Sequence, residues 1–186
     1  MNARTESFIG LASSNELRIA LHYEDAAKIL YKSKAYQDGL ALPFLFLVRQ
    51  FVELGLKYNI KKLNEVSTCD NLITALNGTH DLTKIHSAFL AHYKSAKKEL
   101  SISKLKEQKY LDKLEKLINK LVLLDFDSQG FRYSTDKDDN KIIEQKVTFN
   151  LEEVFDLLDD TSTLLSSIEN LFGLTQAESN WSGYTI

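Results

Sequence analysis

Apolar residues recur at helical spacing along most of this chain and alternate in only one stretch. Leu17, Ala20, Leu21, Ala27 and Leu30 predict a first helix from Ser13 to about Lys32. Ser13 and Glu16 have the spacing of a capping box. Gly39 predicts a turn, and Pro43 suits the first turn of a second helix over residues 42–63, where a missing N–H costs nothing. That helix is apolar on almost all sides, with Phe44, Leu45, Phe46, Leu47, Val48, Phe51, Val52, Leu54 and Leu56. Such a helix is the central rod of a bundle. A short helical piece over residues 70–76 ends at Asn77-Gly78. Thr79 then predicts the cap of a helix to about Lys98, with Leu82, Ile85, Phe89 and Tyr93 inward. Asp81 falls in its first turn, where negative charge suits the macrodipole. Residues 103–124 are strongly amphipathic: Leu111, Leu114, Ile118, Leu121 and Leu124 form a seam, and lysines read as a solvated face.

From Asp125 the period changes. Residues 131–135 and 142–149 alternate around the polar turn Asp136 to Lys141, which predicts a β-hairpin insertion over about residues 125–149. A last long helix opens at Asn150, with Glu153 three residues on, and Gly173 stops it. Its inward residues are Leu151, Val154, Leu158, Leu165, Ile168 and Leu171. The expected fold is an all-α, multi-helix bundle with a short β-hairpin before the last helix. It forms one domain over residues 1–173, followed by a loosely held tail over 174–186.

Composition narrows the class. The 186 residues are 44% hydrophobic and 26% charged, which suits one globular core. The net charge of −3 argues against a DNA-coating surface but leaves room for a local basic groove. One cysteine, Cys69, excludes an internal disulfide and any multi-cysteine zinc site. The N-terminus lacks a signal-peptide pattern, and the apolar run 40–48 is about half the length of a membrane span. These features predict a cytoplasmic protein without a membrane segment. Phosphate-loop, dinucleotide, nucleophile-elbow and zincin strings are absent. Asp136, Asp138 and Asn140 resemble the start of a calcium loop, but Val147 stands where the closing Glu belongs. No metal site and no cofactor are expected.

The polar exceptions carry the candidate chemistry. Arg49, Glu53 and Lys57 follow one another at i, i+4 and form a single stripe on the apolar second helix. The stripe is either a solvent-facing seam or the wall of an internal polar cleft. His22 follows Arg18 at i+4, His86 and His80 lie on different sides of one helix, and His92 reads as a surface residue. His80 stands at a helix start beside Asp81. It either helps Thr79 close the helix end or points across the bundle toward the stripe.

Three pieces together resemble the HEPN superfamily, the higher-eukaryote and prokaryote nucleotide-binding domains. Residues 44–57, Phe-Leu-Phe-Leu-Val-Arg-Gln-Phe-Val-Glu-Leu-Gly-Leu-Lys, are similar to its Arg-His-x-x-Glu-Leu-x-x-Lys helix, with Gln50 in the His position. Residues 80–85, His-Asp-Leu-Thr-Lys-Ile, resemble its Gly-His-Asp-Leu segment, with Thr79 in the Gly position. Residues 131–133, Phe-Arg-Tyr, resemble its Phe-Arg-Tyr-Pro insertion, with Ser134 in place of Pro. The resemblance spans about residues 15–172. It implies a helical, often homodimeric protein that binds RNA or a nucleotide. It also implies a place in a toxin–antitoxin, stress or phage-defence system, with an antitoxin or defence partner and, in some members, metal-independent ribonuclease activity. Those nucleases carry His four to six residues beyond Arg. Here the corresponding residues are Ile9, Gly10 and Leu11 after Arg4, and Tyr23, Glu24 and Asp25 after Arg18. They are Leu54, Gly55 and Leu56 after Arg49, and Lys137, Asp138 and Asp139 after Arg132. Their roles are therefore not carried over.

The candidate site is built instead from the residues at hand. His80, Arg49 and Arg132 are the expected catalytic group, with His80 as acid or base and the arginines as phosphate ligands. Glu53, Asp81, Lys57 and Tyr133 are the expected substrate-binding group. An unpaired buried Arg49 would cost several kcal/mol, so it needs Glu53, Asp81 or a ligand anion beside it. The same residues also suit a structural ion network in a non-catalytic interaction module, and a small-ligand-binding bundle is a third reading.

Overall fold

The computed structural model describes residues 15–33, 37–69, 78–102, 107–123 and 149–174. Among them are five helices and no strand: α1 (Glu16–Lys32), α2 (Gln37–Leu63), α3 (Leu82–Glu99), α4 (Gln108–Val122) and α5 (Leu151–Leu171). The helix expected over residues 70–76 lies outside the described residues, as do Arg132, Tyr133 and all of the expected hairpin except its last residue, Phe149.

α2 is the central rod, packed against each of the other four helices, while α1 and α4 also touch α5 and α3 touches α4. Phe44, Leu45, Val48, Phe51, Val52, Leu56 and Ile60 of α2 are all buried. The stretch Gly39–Leu63 is long and apolar enough to cross a membrane by length and composition alone. The central helix of a bundle meets the same criteria, and this one is sheathed by its neighbours.

Three helix starts differ from the sequence reading. α1 is capped by Asn15 rather than Ser13, its Oδ1 accepting from the Leu17 N–H at 2.8 Å. The Asn15 amide also donates to the Tyr58 hydroxyl, which donates to Glu169 at 2.6 Å, so the cap is tied to α2 and α5. α2 begins at Gln37, which places Gly39 and Pro43 inside the helix. Pro43 forfeits the bond to the Gly39 carbonyl, and Gly39 is exposed, so water can satisfy it. α3 is capped by Asp81 rather than Thr79: Asp81 Oδ1 accepts from the Thr83 and Lys84 N–H groups at 2.9 and 3.1 Å. Asn150 caps α5 as expected, accepting from the Glu153 N–H at 3.1 Å. Gly173, with φ of 65°, ends that helix in the left-handed conformation.

α2 and α5 meet at Gly55. A Cβ there would lie 2.8 Å from Leu165 Cδ1, inside contact distance, and Leu165 is itself buried. One turn further, the buried Asn59 amide donates to both the Gly55 carbonyl at 2.9 Å and the Leu165 carbonyl at 3.0 Å. Gly55→Val is therefore expected to lower unfolding stability by about 1–3 kcal/mol through overpacking. Urea titration checks this; a variant as stable as the parent would refute the close approach.

Candidate functional site

The helical stripe on α2 faces inward, toward the start of α3. Arg49 is wholly buried and Glu53 is 3% exposed. The Glu53 carboxylate is the hub. Its Oε2 accepts from Arg49 Nη1 at 2.7 Å, and its Oε1 accepts from Lys57 Nζ at 2.8 Å and contacts His80 Nδ1 at 2.8 Å. Arg49 Nη2 also donates to the backbone carbonyl of His80 in a short hydrogen bond. Residue 80 is thus held to α2 at two points, through its carbonyl and through its ring.

The i, i+4 spacing explains why one carboxylate gathers this set. Arg49 and Lys57 lie one turn to either side of Glu53, on the same face. Burial pushes the Glu53 carboxyl up, but the hydrogen bonds from Lys57, Arg49 and His80 outweigh it and hold the group below the ordinary carboxylate value. Glu53 is therefore ionised and can only accept, so the His80 Nδ1 must carry the proton in this contact. The His80 side chain is 62% exposed and Lys57 is 18% exposed, so these two form the solvent-facing rim of the network.

Of the expected site residues, Arg49, Glu53, Lys57 and His80 meet. Asp81 adjoins them in sequence, but its carboxylate is committed to capping α3 and to Lys84 at 3.5 Å, rather than to Arg49. Arg49 is covered, so it lies behind the rim rather than at a phosphate position. Arg132 and Tyr133 are not among the described residues, and no metal-holding group of three His, Cys, Asp or Glu occurs among those that are.

His92 corrects the sequence reading. It is fully buried rather than on the surface, with Nδ1 2.9 Å from the Ser67 hydroxyl. The signal was present, because Ile85, Phe89, His92 and Ala96 repeat at helical period on the buried face of α3. Two further buried acids went unnoticed. Glu24 binds Lys28 at 2.6 Å and accepts from the Ser162 hydroxyl at 2.7 Å, and Glu107 accepts from Lys97 at 2.8 Å. Both join neighbouring segments and read as packing devices. Arg18 and His22, the alternative pair, are exposed on α1.

Compared with family models, curated proteins and solved structures, the chain matches none of them.

Proposed function

We propose that this chain is a HEPN-like protein that binds RNA or a nucleotide at the Lys57–His80 rim, in a bacterial stress or phage-defence setting. The supporting observation is that two of the pieces resembling that superfamily, far apart in sequence, touch through the residues that define them: Arg49, Glu53 and Lys57 from one, and His80 from the other. In this reading Lys57 and His80 meet the phosphate, while Arg49 and Glu53 hold them in place. A homodimer, together with an antitoxin or defence protein as partner, belongs to the same proposal.

A second reading is favoured by the burial of Arg49. A guanidinium fully covered and bound to a carboxylate is also what a register-fixing ion network requires, and the module would then bind only proteins.

One experiment separates the two. Fluorescence anisotropy with labelled single-stranded RNA, in EDTA, is expected to show binding that weakens with added salt and with Lys57→Met. Light scattering on the same samples is expected to give about twice the 21.2 kDa chain mass. A chain that binds neither RNA nor nucleotides at low salt leaves the interaction module.

A further inference from the structure

His80 differs from the other three histidines. His86 and His92 are buried, and burial pushes both rings toward the neutral form. His22 is exposed on α1. Only His80 combines an open imidazole with a buried, ionised carboxylate 2.8 Å from one ring nitrogen. Its backbone is fixed as well, because Arg49 takes its carbonyl and the Asp81 N–H next to it donates to the Thr79 hydroxyl at 3.2 Å.

We infer that Glu53 locks His80 as the Nδ1–H tautomer, so that the outward Nε2 lone pair is a general base for a hydroxyl group. This rests on the RNA reading above, and the hydroxyl is the ribose 2′-OH. An acceptor-only carboxylate needs a proton on Nδ1, and a neutral imidazole carries only one N–H. Nε2 is then an acceptor by elimination, and the second contact at residue 80 keeps the ring from swinging away. A carboxylate that orients an imidazole for proton transfer is a recurring catalytic device. Here Glu53, Arg49 and the Thr79–Asp81 turn are positioning groups, and His80 alone would touch the substrate. Lys57 sits on the same Glu53 oxygen and sets a positive charge beside the ring.

The step balances without a cofactor. Nε2 takes the 2′-OH proton, O2′ bonds to the adjacent phosphorus, and the P–O5′ bond breaks. The departing O5′ takes a proton from water. The products are a 2′,3′-cyclic phosphate and a 5′-hydroxyl.

Two readouts on the full chain test this. In mildly alkaline buffer, nitrogen NMR of histidine-labelled protein is expected to show His80 as the Nδ1–H tautomer, whereas free imidazole side chains favour Nε2–H. Incubation with single-stranded RNA in EDTA is expected to give cyclic-phosphate ends, and a strand with a 2′-deoxy sugar at the cut position should resist. His80→Ala, at an exposed side chain, is expected to reduce cleavage by about 100-fold or more. Its RNA affinity should change far less. An Nε2–H tautomer, or cleavage that survives His80→Ala, overturns the inference. RNA that is bound but never cut overturns it too, and leaves the binding reading standing. Absence of RNA binding overturns that reading and removes the substrate with it.

Discussion

Glu53→Ala is expected to destabilise the protein by about 3–5 kcal/mol, the cost of removing one partner from a buried ion pair. The reason is the position of Arg49. Its guanidinium is wholly buried and donates to Glu53 at 2.7 Å, so the substitution takes away the carboxylate that faces it inside the bundle. Lys57 and His80 lose the same acceptor, but both reach solvent and recover hydration. For a chain of this length the loss corresponds to a fall in Tm of roughly 6–20 °C. Glu53→Gln keeps the volume and one acceptor, and should cost less. Replacing the pair together, Arg49→Met with Glu53→Leu, removes both desolvation penalties and is expected to restore most of the stability. Scanning calorimetry decides the matter; a Glu53→Ala variant melting within about 2 °C of the parent would mean that Arg49 is not held as described.

This expectation also sets which variants are informative about function. Glu53 and Arg49 lie inside the network, so their replacement confounds activity with folding. Lys57 and His80 stand on the rim and can be changed with the core left in place. The two readings of the site thus differ in which residues matter, since an ion network needs the buried pair and RNA chemistry needs the rim.

The bundle was legible in the sequence where the apolar period was unbroken. The inward residues named for α1, α3 and α5 are buried or packed against the core, and α4 adds only Leu117 to the seam already visible. Helix starts were less legible, for a local reason. Ser13, Asn15, Thr79 and Asp81 are all competent caps, and the choice falls to backbone geometry that short-range spacing does not encode. Pro43 misled for a different reason. The rule against interior proline assumes that the lost carbonyl partner is costly, and at an exposed Gly39 it is not.

Within the site, the i, i+4 stripe was legible because helix geometry alone puts Arg49, Glu53 and Lys57 on one face. Its meeting with His80 rested on resemblance rather than on period. What no pattern revealed was the Arg49 contact with the His80 backbone, because a carbonyl is present at every position and only the fold selects one. His92 failed for the opposite reason: a polar residue type was allowed to outweigh a clear buried period.

Mild acid is expected to weaken the fold well before any carboxylate titrates. Burial lowers the affinity of both His86 and His92 for protons, with Glu115 opposing it only at His86. The unfolded chain therefore takes up protons that the folded one refuses as pH falls below the ordinary imidazole value of 6.5. The sign is fixed by that difference: stability is complete above 6.5 and declines below it until the lowered folded values are reached. Each histidine removes up to about 1.4 kcal/mol per pH unit in this window, so the pair can remove nearly 3. Glu53 acts in a separate, lower window. Its folded value is depressed by Lys57, Arg49 and His80, so its contribution persists above the ordinary 4.5 and is lost only as pH falls through that depressed value. His92→Leu keeps the site apolar and gives up only the Ser67 contact, so it should make the slope between pH 6.5 and 5 shallower while leaving the lower limb unchanged. Urea titrations at half-unit steps from pH 7.5 to 4 resolve the two limbs. A stability that stays level from 7.5 to 5 would show that neither ring is buried in its neutral form.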